Sequence, residues 1–487
     1  MTEPPFGGSD TDGTRLEKLS AIRAAGEEPF KLGFDRTHLI GDVVESSSLA
    51  PGEESGDHAR VAGRIVGMRR LGKLVFADLR DGSGRIQLLA DSASLGRSIE
   101  RFDHLDLGDW AGAWGEVVCT KRGELSIRVE GFELLSKCLR SWPDKFHGLR
   151  DVEARYRQRY LDLATSEDSL RTAMARPKAV SAIRAWLEDR GFIEVETPML
   201  QPVPGGALAK PFVTHHEVLD MDMYLRIAPE LYLKRLVVGG MERIFEINRN
   251  FRNEGVSVKY NPEFTMLELY QAFADYLDMA DLIEGLVRHV AEVVTGKLQL
   301  PFGGETLDLE KPFRRVRLID LVAEAGADVE GDLAKECERL GVPADPKWPW
   351  GKLLLEIYEK KVEPFLMQPT FVMDIPLDAS PLARRHRSDE RFTEHLDFVM
   401  GGMEVAPAYS ELTDPIEQRV RFEAQSLLRA EGDEEAHLVD EDFLKALEYG
   451  MPPTGGLGLG IDRLMIVLTD SSSIREVILF PALRPES

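Results

Sequence analysis

Charged side chains on two adjacent strands constrain this fold more than any other feature of the sequence. In RIFEINRNFR, residues 243–252, the period-two alternation of a strand puts Phe245, Ile247 and Phe251 on one face. The opposite face carries polar or charged side chains, namely Glu246, Asn248, Asn250 and Arg252. The first face is therefore predicted to belong to a core, and the second is predicted to form a polar floor.

The returning strand repeats this pattern after a glycine-containing loop, NEGVSVKY, residues 253–260. Its side chains at Phe264, Met266, Glu268 and Tyr270 share one face. Because unpaired charges are costly to bury, these groups must face water, each other or a charged ligand. Two interpretations follow, an ion-pair ladder on an exposed sheet and a site for a charged ligand.

Length and composition are those of an ordinary globular protein. The 487 residues suffice for about three domains of roughly 150 residues, or for two unequal ones. No apolar run approaches the ~20 residues of a membrane span. The start, MTEPPFGGSDTDGTRLEK, lacks the features of a signal peptide, so we expect a cytoplasmic protein without membrane segments.

Cysteine usage and net charge narrow the class further. Cys119, Cys138 and Cys337 are few and far apart, which predicts neither a disulfide framework nor a thiolate metal site. The net charge of −24 argues against a protein coated in nucleic acid, although it is compatible with a local basic patch.

Short alternating runs between residues 58 and 142 predict about five strands, separated by turns such as DGSG and KRGE. This number of strands suits a small barrel of the oligonucleotide-binding type. Residues 1–57 are expected to form a tail and a helix. After a linker-like stretch, SWPDKFHGLRD, residues 143–487 are predicted to form an α+β region with a mostly helical insertion near 313–368.

The first part of the predicted barrel is strongly basic. Residues 58–88 contain Asp78, Asp81 and seven basic residues, namely Arg60, Arg64, Arg69, Arg70, Lys73, Arg80 and Arg85. Phe76 lies among them, and an exposed aromatic ring interleaved with cations suits single-stranded nucleic acid, where the ring stacks on a base. The alternative is that Phe76 is a core side chain of a solvated barrel.

A glycine-rich turn near the C-terminus is a second candidate ligand site. GGLGLGIDRL, residues 455–464, places Asp462 as a predicted helix N-cap and Arg463 in the first helical turn. Small residues let the backbone approach a ligand, and Arg463 offers a fixed fork to phosphate oxygens. Neither GxGxxG nor GxxxxGK[ST] occurs, so neither a dinucleotide fold nor a P-loop is predicted. The alternative is glycine-rich packing at a strand-to-helix turn.

Taken together, three blocks resemble the signature motifs of class II aminoacyl-tRNA synthetases. GFIEVETPML with Pro198 is similar to motif 1, FRNEG…NPEFTMLELY is similar to motif 2, and GLGLGIDRL is similar to motif 3. The resemblance covers about residues 58–487. Aspartate- and asparagine-specific members share this architecture, but APELYLKRL and AYSELTDP are more similar to the lysine-specific members.

The resemblance implies an α+β fold with an N-terminal OB-fold β-barrel for the anticodon, then a class II catalytic domain whose antiparallel sheet is flanked by helices. The corresponding limits are 1–57 for the tail and helix, 58–142 for the barrel and 143–487 for the catalytic domain. The implied reaction converts lysine and ATP into lysyl-adenylate and pyrophosphate, then transfers the lysyl group to the 3′ end of tRNA(Lys). The family forms homodimers through the motif 1 region, so the implied partners are ATP, L-lysine, tRNA(Lys) and a second copy of the chain.

By resemblance, motifs 2 and 3 carry the ATP site. The implied ATP-binding residues are Arg252, Glu254, Tyr260, Asn261, Phe264 and Arg463. Arg252 would bridge the α-phosphate and the substrate carboxylate, Arg463 would hold the γ-phosphate, and these two are the implied catalytic residues. Glu254 and Asn261 would contact adenine or nearby atoms, and Phe264 would stack on the base.

The resemblance also implies three further groups of site residues. The lysine-binding residues would be Gly206, Glu230, Glu268, Tyr270 and Glu411, with the carboxylates serving the two ammonium groups of the substrate. Mg²⁺, which takes oxygen ligands, would lie near Asp397, Glu404 and Glu411. The anticodon-reading residues of the barrel would be Phe76, Gln87 and Glu124.

Three positions depart from the family pattern. Tyr260 stands where the family usually has His, and Asp397 stands where bacterial members have Glu. Pro407 stands where the family usually has Asn beside the backbone groups of the substrate, and proline supplies neither an amide side chain nor an N–H. Since proline is typical of edge strands, we expect Pro407 at a strand edge, with lysine still the preferred amino acid.

Two other functions are compatible with parts of the sequence. A non-catalytic tRNA-binding paralogue would have lost the ATP residues, yet Arg252, Glu254, Phe264 and Arg463 are all present. A synthetase-like ligase that adenylates lysine or an analogue for another conjugation pathway would keep the adenylation site but would not need an anticodon barrel.

Overall fold

The computed structural model describes residues 12–72, 74–143, 149–430 and 438–485. It divides the chain into two compact units, Met1–Asp151 and Val152–Ser487. The barrel was predicted to begin at residue 58, a few residues after its first strand begins at Glu54. The domain limits proposed from the sequence stay predictions.

The first unit is built around a closed barrel with the strand order β1-β2-β3-β5-β4. Its strands are β1 Glu54–Leu71, β2 Leu74–Arg80, β3 Arg85–Asp91, β4 Trp110–Cys119 and β5 Leu125–Ser136. Its helices are α1 Gly13–Ala24, α2 Ile40–Ser46 and α3 Ser92–Leu95, with a 3₁₀ segment at Gly96–His104. The predicted five-stranded OB-type barrel is confirmed.

Period-two alternation explains why these strands close into a barrel. On β2, the side chains of Val75, Ala77 and Leu79 are buried in the barrel core, while Phe76 between them is half-buried. Alternate positions of each pleated strand point to opposite faces, so one face fills the barrel and the other lies outside. Phe76 therefore lies on the outer face, opposite the core positions.

The second unit contains an eight-stranded sheet with the order β14-β15-β16-β17-β18-β11-β10-β6. Its strands are β6 Ile193–Glu194, β10 Arg243–Phe251, β11 Glu263–Ala272, β14 Arg314–Arg317, β15 Thr370–Met373, β16 His395–Val399, β17 Glu404–Ser410 and β18 Thr454–Gly460. Neighbouring strands pair antiparallel except at the two edges, where β6 with β10 and β14 with β15 are parallel. The predicted antiparallel sheet is confirmed in its central strands.

Smaller strands and helices complete the second unit. The remaining strands are β7 Leu200–Gln201, β8 Phe212–His216, β9 Met221–Leu225, β12 Gln299–Phe302 and β13 Glu305–Asp308. The helices are α4 Val152–Arg157, α5 Arg159–Thr165, α6 Glu167–Glu188, α7 Glu230–Val238, α8 Tyr276–Thr295, α9 Leu318–Glu324, α10 Leu333–Leu340, α11 Trp350–Lys361, α12 Pro415–Ala430, α13 Glu441–Glu448, α14 Ile461–Leu468 and α15 Ile474–Val477.

One face of the large sheet packs on helices α6, α8 and α14. Phe245, Leu267 and Leu457 of the sheet share a buried apolar cluster with residues of these helices. Helix α8 begins at a capping box formed by Asp275 and Asp278, so its first backbone N–H groups have partners and its apolar face can bury against the sheet. The helices cover this face, and the polar face of β10 and β11 is left on the other side.

The region near 313–368 holds β14, α9, α10 and α11, together with a 3₁₀ segment at Glu363–Phe365. Residues such as Leu321, Leu354 and Ile357 give it an apolar cluster of its own. The sequence-based expectation that this region is an insertion stays a prediction. In the described part of the chain, no helix has the length and apolar character required to cross a bilayer.

Candidate active site

The strand register confirms the polar face predicted from alternation. On β10 and β11, Glu246 pairs with Glu268, Asn248 with Met266 and Asn250 with Phe264. These paired positions lie on the same side of the sheet. The face opposite the helices therefore carries the charged and polar side chains of both strands.

The glycines of β18 leave space beside this face. Gly456, Gly458 and Gly460 pair with Tyr270, Glu268 and Met266 of β11. A Cβ atom at Gly456 would lie 2.0 Å from Oε1 of Glu411 and 2.7 Å from Cε1 of Tyr270. Glycine is therefore required at Gly456 by the side chains of the site, and not only by packing at a strand-to-helix turn.

Two adjoining cavities occupy the space above the polar face. One has a volume of about 750 Å³ and the other about 900 Å³, including the solvent space at their mouths. Arg252, Met266, Glu404 and Pro407 line both cavities, so the two form one continuous cleft. We refer to the first as the motif 2 cavity and to the second as the acidic cavity.

Arg252 lies at the junction of the two cavities. Its backbone N–H donates to the carbonyl oxygen of Pro262 at 2.9 Å, and its guanidinium lies 5.0 Å from the ring centre of Phe264. Its buried Nε atom has no hydrogen-bond partner among the described residues. Burial lowers the pKa of Arg252, so the charged form is poorly solvated. A buried guanidinium with an unpaired N–H is suited to an anionic ligand.

Arg463 follows β18, in the first turn of α14, and lines the motif 2 cavity. Its Nη1 donates to the carbonyl oxygen of Glu404 at 2.7 Å and lies 3.4 Å from a carboxylate oxygen of the same residue. Its guanidinium also lies 5.5 Å from the ring centre of Tyr260. Arg463 is therefore held facing the cavity by two neighbours.

The predicted N-cap at Asp462 is wrong, since the N-cap of α14 is Gly460. Asp462 is buried, forms an ion pair with Arg176 of α6 and accepts a hydrogen bond from the backbone N–H of Thr265 at 2.7 Å. Alternation and local spacing could not predict these partners because both come from other parts of the chain. Asp462 fixes α14, and with it Arg463, against β11.

The other residues of the predicted ATP set also line the motif 2 cavity, namely Glu254, Tyr260, Asn261 and Phe264. The amide of Asn261 already donates to the carbonyl oxygen of Glu263 and accepts from the backbone N–H of Ala482 at 3.1 Å. Lys259, which the sequence analysis did not single out, lines the same cavity and donates to the carbonyl oxygen of Gly402 at 3.0 Å. Its position in the loop between the two parts of motif 2 was the available signal.

Four of the five predicted lysine-binding residues line the acidic cavity, namely Gly206, Glu230, Glu268 and Tyr270. Gly206 has a φ of +90°, and a Cβ atom there would lie 2.9 Å from Cβ of Glu230. Burial raises the pKa of Glu268 well above its ordinary value, with the charge of Glu230 adding to the effect. Glu268 is therefore buried, and it lies close enough to Glu230 for the two charges to repel one another.

Glu411 lies just beyond β17 and is buried. One of its carboxylate oxygens is 2.5 Å from Nζ of Lys234, and Nζ is 2.6 Å from Glu230. Burial raises the pKa of Glu411 to about 7, although Lys234 opposes this shift. Lys234 was not identified from the sequence, and its spacing of four residues from Glu230 on a helix was the available signal.

The predicted metal ligands fall in two places. Asp397 of β16 and Glu404 of β17 both influence the carboxyl group of Glu363. Burial raises the pKa of Glu363 to about 7, and the charges of Glu404 and Asp397 add to this rise. Glu411 is instead paired with Lys234 at the other end of β17. Within the described ranges, no group of three or more His, Cys, Asp or Glu side chains is arranged to hold a metal ion.

Pro407 was expected at a strand edge, and the structure places it at a local edge within the sheet, on the side where β18 does not pair with it. It lies in β17, between β16 and β18, and pairs with Asp397. However, β17 pairs with β18 only from Ala408 to Ser410. The two strands have separated at Pro407, where the cleft lies, so the missing N–H of proline is tolerated inside the sheet.

The first unit brings the predicted anticodon residues onto neighbouring strands. Asp78 of β2 pairs with Gln87 of β3, and Gln87 pairs with Ser126 of β5. Phe76 shares the outer face with Asp78, and Glu124 is exposed two residues before Ser126. Gln87 is buried and accepts a hydrogen bond from the hydroxyl of Ser126 at 3.2 Å.

Several arginines of the basic segment, residues 58–88, already contact other side chains of the first unit. The guanidinium of Arg60 lies 4.3 Å from the ring centres of both Phe34 and Trp114, and that of Arg64 stacks on Trp110 and Trp142 at 4.6 and 4.8 Å. Arg70 and Arg85 form ion pairs with Asp103 and Asp78 at 2.8 Å. Arg69 instead lies 5.7 Å from the ring centre of Phe76 on the outer face.

The antiparallel sheet with this two-part cleft, in a chain that also carries an OB-type barrel, places the protein among the class II aminoacyl-tRNA synthetases. The family model described as tRNA synthetases class II (D, K and N) matches residues 151–484. A second model, described as OB-fold nucleic acid binding domain, matches residues 59–135.

Three similar proteins of this class are named for the same amino acid, lysine. The chain is 49% identical over 479 residues to the lysine–tRNA ligase of Carboxydothermus hydrogenoformans, covering 97% of each chain. It is 50% identical over 499 residues to that of Prochlorococcus marinus, covering 98% of this chain and 99% of the relative. It is 47% identical to that of Xanthomonas oryzae pv. oryzae, covering 100% and 98%. The chain belongs to the lysine–tRNA ligase family.

Proposed function

We propose that this protein activates L-lysine with ATP and transfers the lysyl group to the 3′ end of tRNA(Lys). The observation that carries this proposal is the position of Arg252. It lies with an unpaired, buried N–H between a cavity lined by Arg463 and Phe264 and a cavity lined by carboxylates. An enzyme that joins a phosphate to the carboxylate of a cationic amino acid needs one cation at this junction.

In the first step, an oxygen of the lysine carboxylate attacks the α-phosphorus of ATP, and the bond from that phosphorus to pyrophosphate breaks. Arg252 neutralises the charge that builds between carboxylate and phosphate, and Arg463 holds the γ-phosphate. Phe264 stacks on adenine, while Glu254 and Asn261 contact the base or nearby atoms, beside Tyr260. Positioning and electrostatics are sufficient for such an in-line displacement, and the step assigns no general base.

In the second step, a terminal hydroxyl of tRNA attacks the lysyl carbonyl, and AMP leaves. The OB-type barrel supports this step, with Phe76, Gln87 and Glu124 as anticodon-reading residues. A ligase for another conjugation pathway would have no use for such a barrel. Since ATP and tRNA are found in the cytoplasm, we place the protein there.

Asp397 and Glu404 are the residues that would hold Mg²⁺. Glu404 lines both cavities, and the charges of Glu404 and Asp397 both raise the pKa of Glu363, which supports an acidic region beside the phosphate site. Mg²⁺ usually binds one or two carboxylates plus substrate phosphates, which fits two carboxylates better than a complete protein cage. When bound, Mg²⁺ would neutralise charge on the phosphates. The ion pair with Lys234 favours a lysine-binding role for Glu411 over its predicted metal role.

Lysine would bind in the acidic cavity with its carboxylate toward Arg252. Glu230, Glu268 and Glu411 would serve its two ammonium groups, with Tyr270 beside Glu268 and Gly206 leaving room for the backbone of the substrate. The hydroxyl of Tyr270 lies 3.4 Å from a carboxylate oxygen of Glu268, which keeps both groups on the same wall. The departure at Pro407 changes one wall of this pocket and leaves its charged groups in place.

Replacing Arg252 with Ala should lower lysine-dependent ATP–pyrophosphate exchange by at least about 100-fold, because its charge acts mainly in the transition state. Arg249→Ala is the matched control, since Arg249 is a half-buried arginine of β10, three residues before Arg252, that forms an ion pair with Glu263 at 3.5 Å. Circular dichroism should show both variants folded. Near-normal exchange in Arg252→Ala would contradict the proposal.

The KM for lysine should rise as the pH falls through the raised pKa of Glu268. Because the pKa of Glu268 is raised, this carboxyl holds a proton at pH values where an exposed Glu is ionised. An ammonium group favours the ionised form, so lysine binding releases the proton and weakens by up to about tenfold per pH unit below that pKa. Exchange kinetics between pH 6 and 8 would measure this. Glu268→Gln should bind lysine weakly without this pH dependence, and a flat profile in the wild type would refute the assignment of Glu268.

Replacing Phe76 with Ala should weaken tRNA charging while exchange stays unchanged. Loss of a base stack costs on the order of 1–3 kcal/mol, which corresponds to roughly 5- to 150-fold in kcat/KM for tRNA. Leu74→Ala, an exposed position of the same strand, is the control and should have little effect. Equal charging by wild type and Phe76→Ala would remove Phe76 from the tRNA-binding residues.

The protein should be a homodimer through the motif 1 region around Pro198. Ile193, Met199 and Leu200 of this region expose apolar side chains, which supports a buried interface there. Multi-angle light scattering at micromolar concentration should give twice the chain mass of 54.6 kDa. Ile193→Asp should lower the measured mass toward one chain. A wild-type monomer would contradict this proposal.

A further inference from the structure

Lys234 is a fully buried cation beside the acidic cavity. It lies on α7, one helical turn after Glu230, and its side chain has no exposed surface. Its Nζ atom lies 2.6 Å from Oε1 of Glu230 and 2.5 Å from Oε2 of Glu411. These two carboxylates come from distant parts of the chain, and both belong to the proposed lysine-binding residues.

The position of Glu411 depends on this contact. One of its oxygens faces Lys234, and the other lies over Gly456, where a Cβ atom would come within 2.0 Å. The carboxylate is therefore confined between a cation on one side and glycine backbone on the other. Without Lys234, Glu230 and Glu411 would be two buried, mutually repelling carboxylates, and such groups move apart or take up a proton.

The charges of the three proposed lysine-binding carboxylates match the substrate when Lys234 is counted with them. Glu230, Glu268 and Glu411 can carry three negative charges, and Lys234 supplies one positive charge within ion-pair distance of two of them. The remaining charge equals that of the two ammonium groups of lysine. The lysine carboxylate is served separately by Arg252.

We propose that Lys234 is a positioning residue for lysine recognition, which holds Glu230 and Glu411 in the geometry that binds the substrate and sets the charge of the pocket. This inference rests on the proposed function of the same site. Lys234 acts through the two carboxylates, so its loss should affect lysine binding much more than ATP binding or the chemical step.

The test is steady-state ATP–pyrophosphate exchange with Lys234→Met, which keeps the length of the side chain and removes its charge. We expect the KM for lysine to rise by about tenfold or more, with kcat and the KM for ATP within about threefold of wild type. Lys234→Arg, which keeps the charge in a wider group, should show a smaller rise in the KM for lysine.

Lys137→Met is the matched control. Lys137 is also a fully buried lysine held by two carboxylates, at 2.6 Å from Asp106 and 2.8 Å from Asp109, but it belongs to the first unit. Its loss should lower the melting temperature without changing the KM for lysine in exchange. This separates an effect on the pocket from the general cost of breaking a buried ion pair.

Chemical rescue provides an independent readout. In Lys234→Ala, added propylammonium should lower the KM for lysine again, because it can restore a cation between Glu230 and Glu411. Propanol of similar size should not. If Lys234→Met does not fold, Lys234→Arg and the rescued Lys234→Ala variant carry the test.

The outcomes are distinct. A wild-type KM for lysine in a folded Lys234→Met variant would overturn the inference, as would an equal rise in the KM values for lysine and ATP. Rescue of Lys234→Ala by propanol as effectively as by propylammonium would overturn it too, because the charge would then be irrelevant. If the wild-type protein itself shows no lysine-dependent exchange, the proposed function fails first.

Discussion

Buried charge on the site face of the sheet is the constraint on which the second unit depends. Arg226 and Glu246 are both fully buried and form an ion pair at 2.7 Å beneath the cleft. Thr197 and Asn248 donate to the same carboxylate at 2.7 and 2.9 Å. Breaking one partner of such a pair costs about 3–5 kcal/mol, so the network holds β10 in one register. The polar floor of the cleft is therefore fixed before any ligand binds.

The helices on the opposite face offset the cost of this buried charge. Phe245, Leu267 and Leu269 alternate with the charged positions of β10 and β11 and bury against α6 and α8. Apolar burial on that side stabilises strands that would otherwise be poor sheet formers. A shift of one residue in the pairing would exchange the two faces, placing Glu268 against the helices and Leu267 in the cleft. Core packing and site geometry thus depend on the same register.

Local periodicity explains how much of this could be predicted from the sequence. Alternation identified Glu246, Asn248 and Asn250 as one face, and the structure pairs them with Glu268, Met266 and Phe264. The five strands of the barrel were also predicted, because alternating runs are separated by turn residues there. Both predictions rest on contacts within a few residues along the chain.

Partners that are distant in sequence could not be predicted in this way. Lys234 is four residues from Glu230, yet its contact with Glu411 depends on where α7 meets the end of β17. Asp462 looked like a helix cap, but its oxygens bind Arg176 and Thr265 instead. The place of Pro407 depended on strand order, which alternation does not contain. In each case the three-dimensional neighbour, and not the residue type, decided the role.

Strand order also explains why a proline is compatible with this cleft. β17 leaves β18 before Ala408, and the gap between them contributes to both cavities at Pro407. The charged groups of the pocket are carried by other elements, with Arg252 after β10, Glu268 on β11, and Glu230 with Lys234 on α7. An amide in place of Pro407 would therefore add a neutral group to one wall, whereas the charged groups of the pocket do not depend on this position. A hydrogen bond to a charged group contributes about 1.5–3 kcal/mol, and a bound water can replace the group that makes it. The residue at position 407 can therefore vary without any change in the charged groups of the pocket.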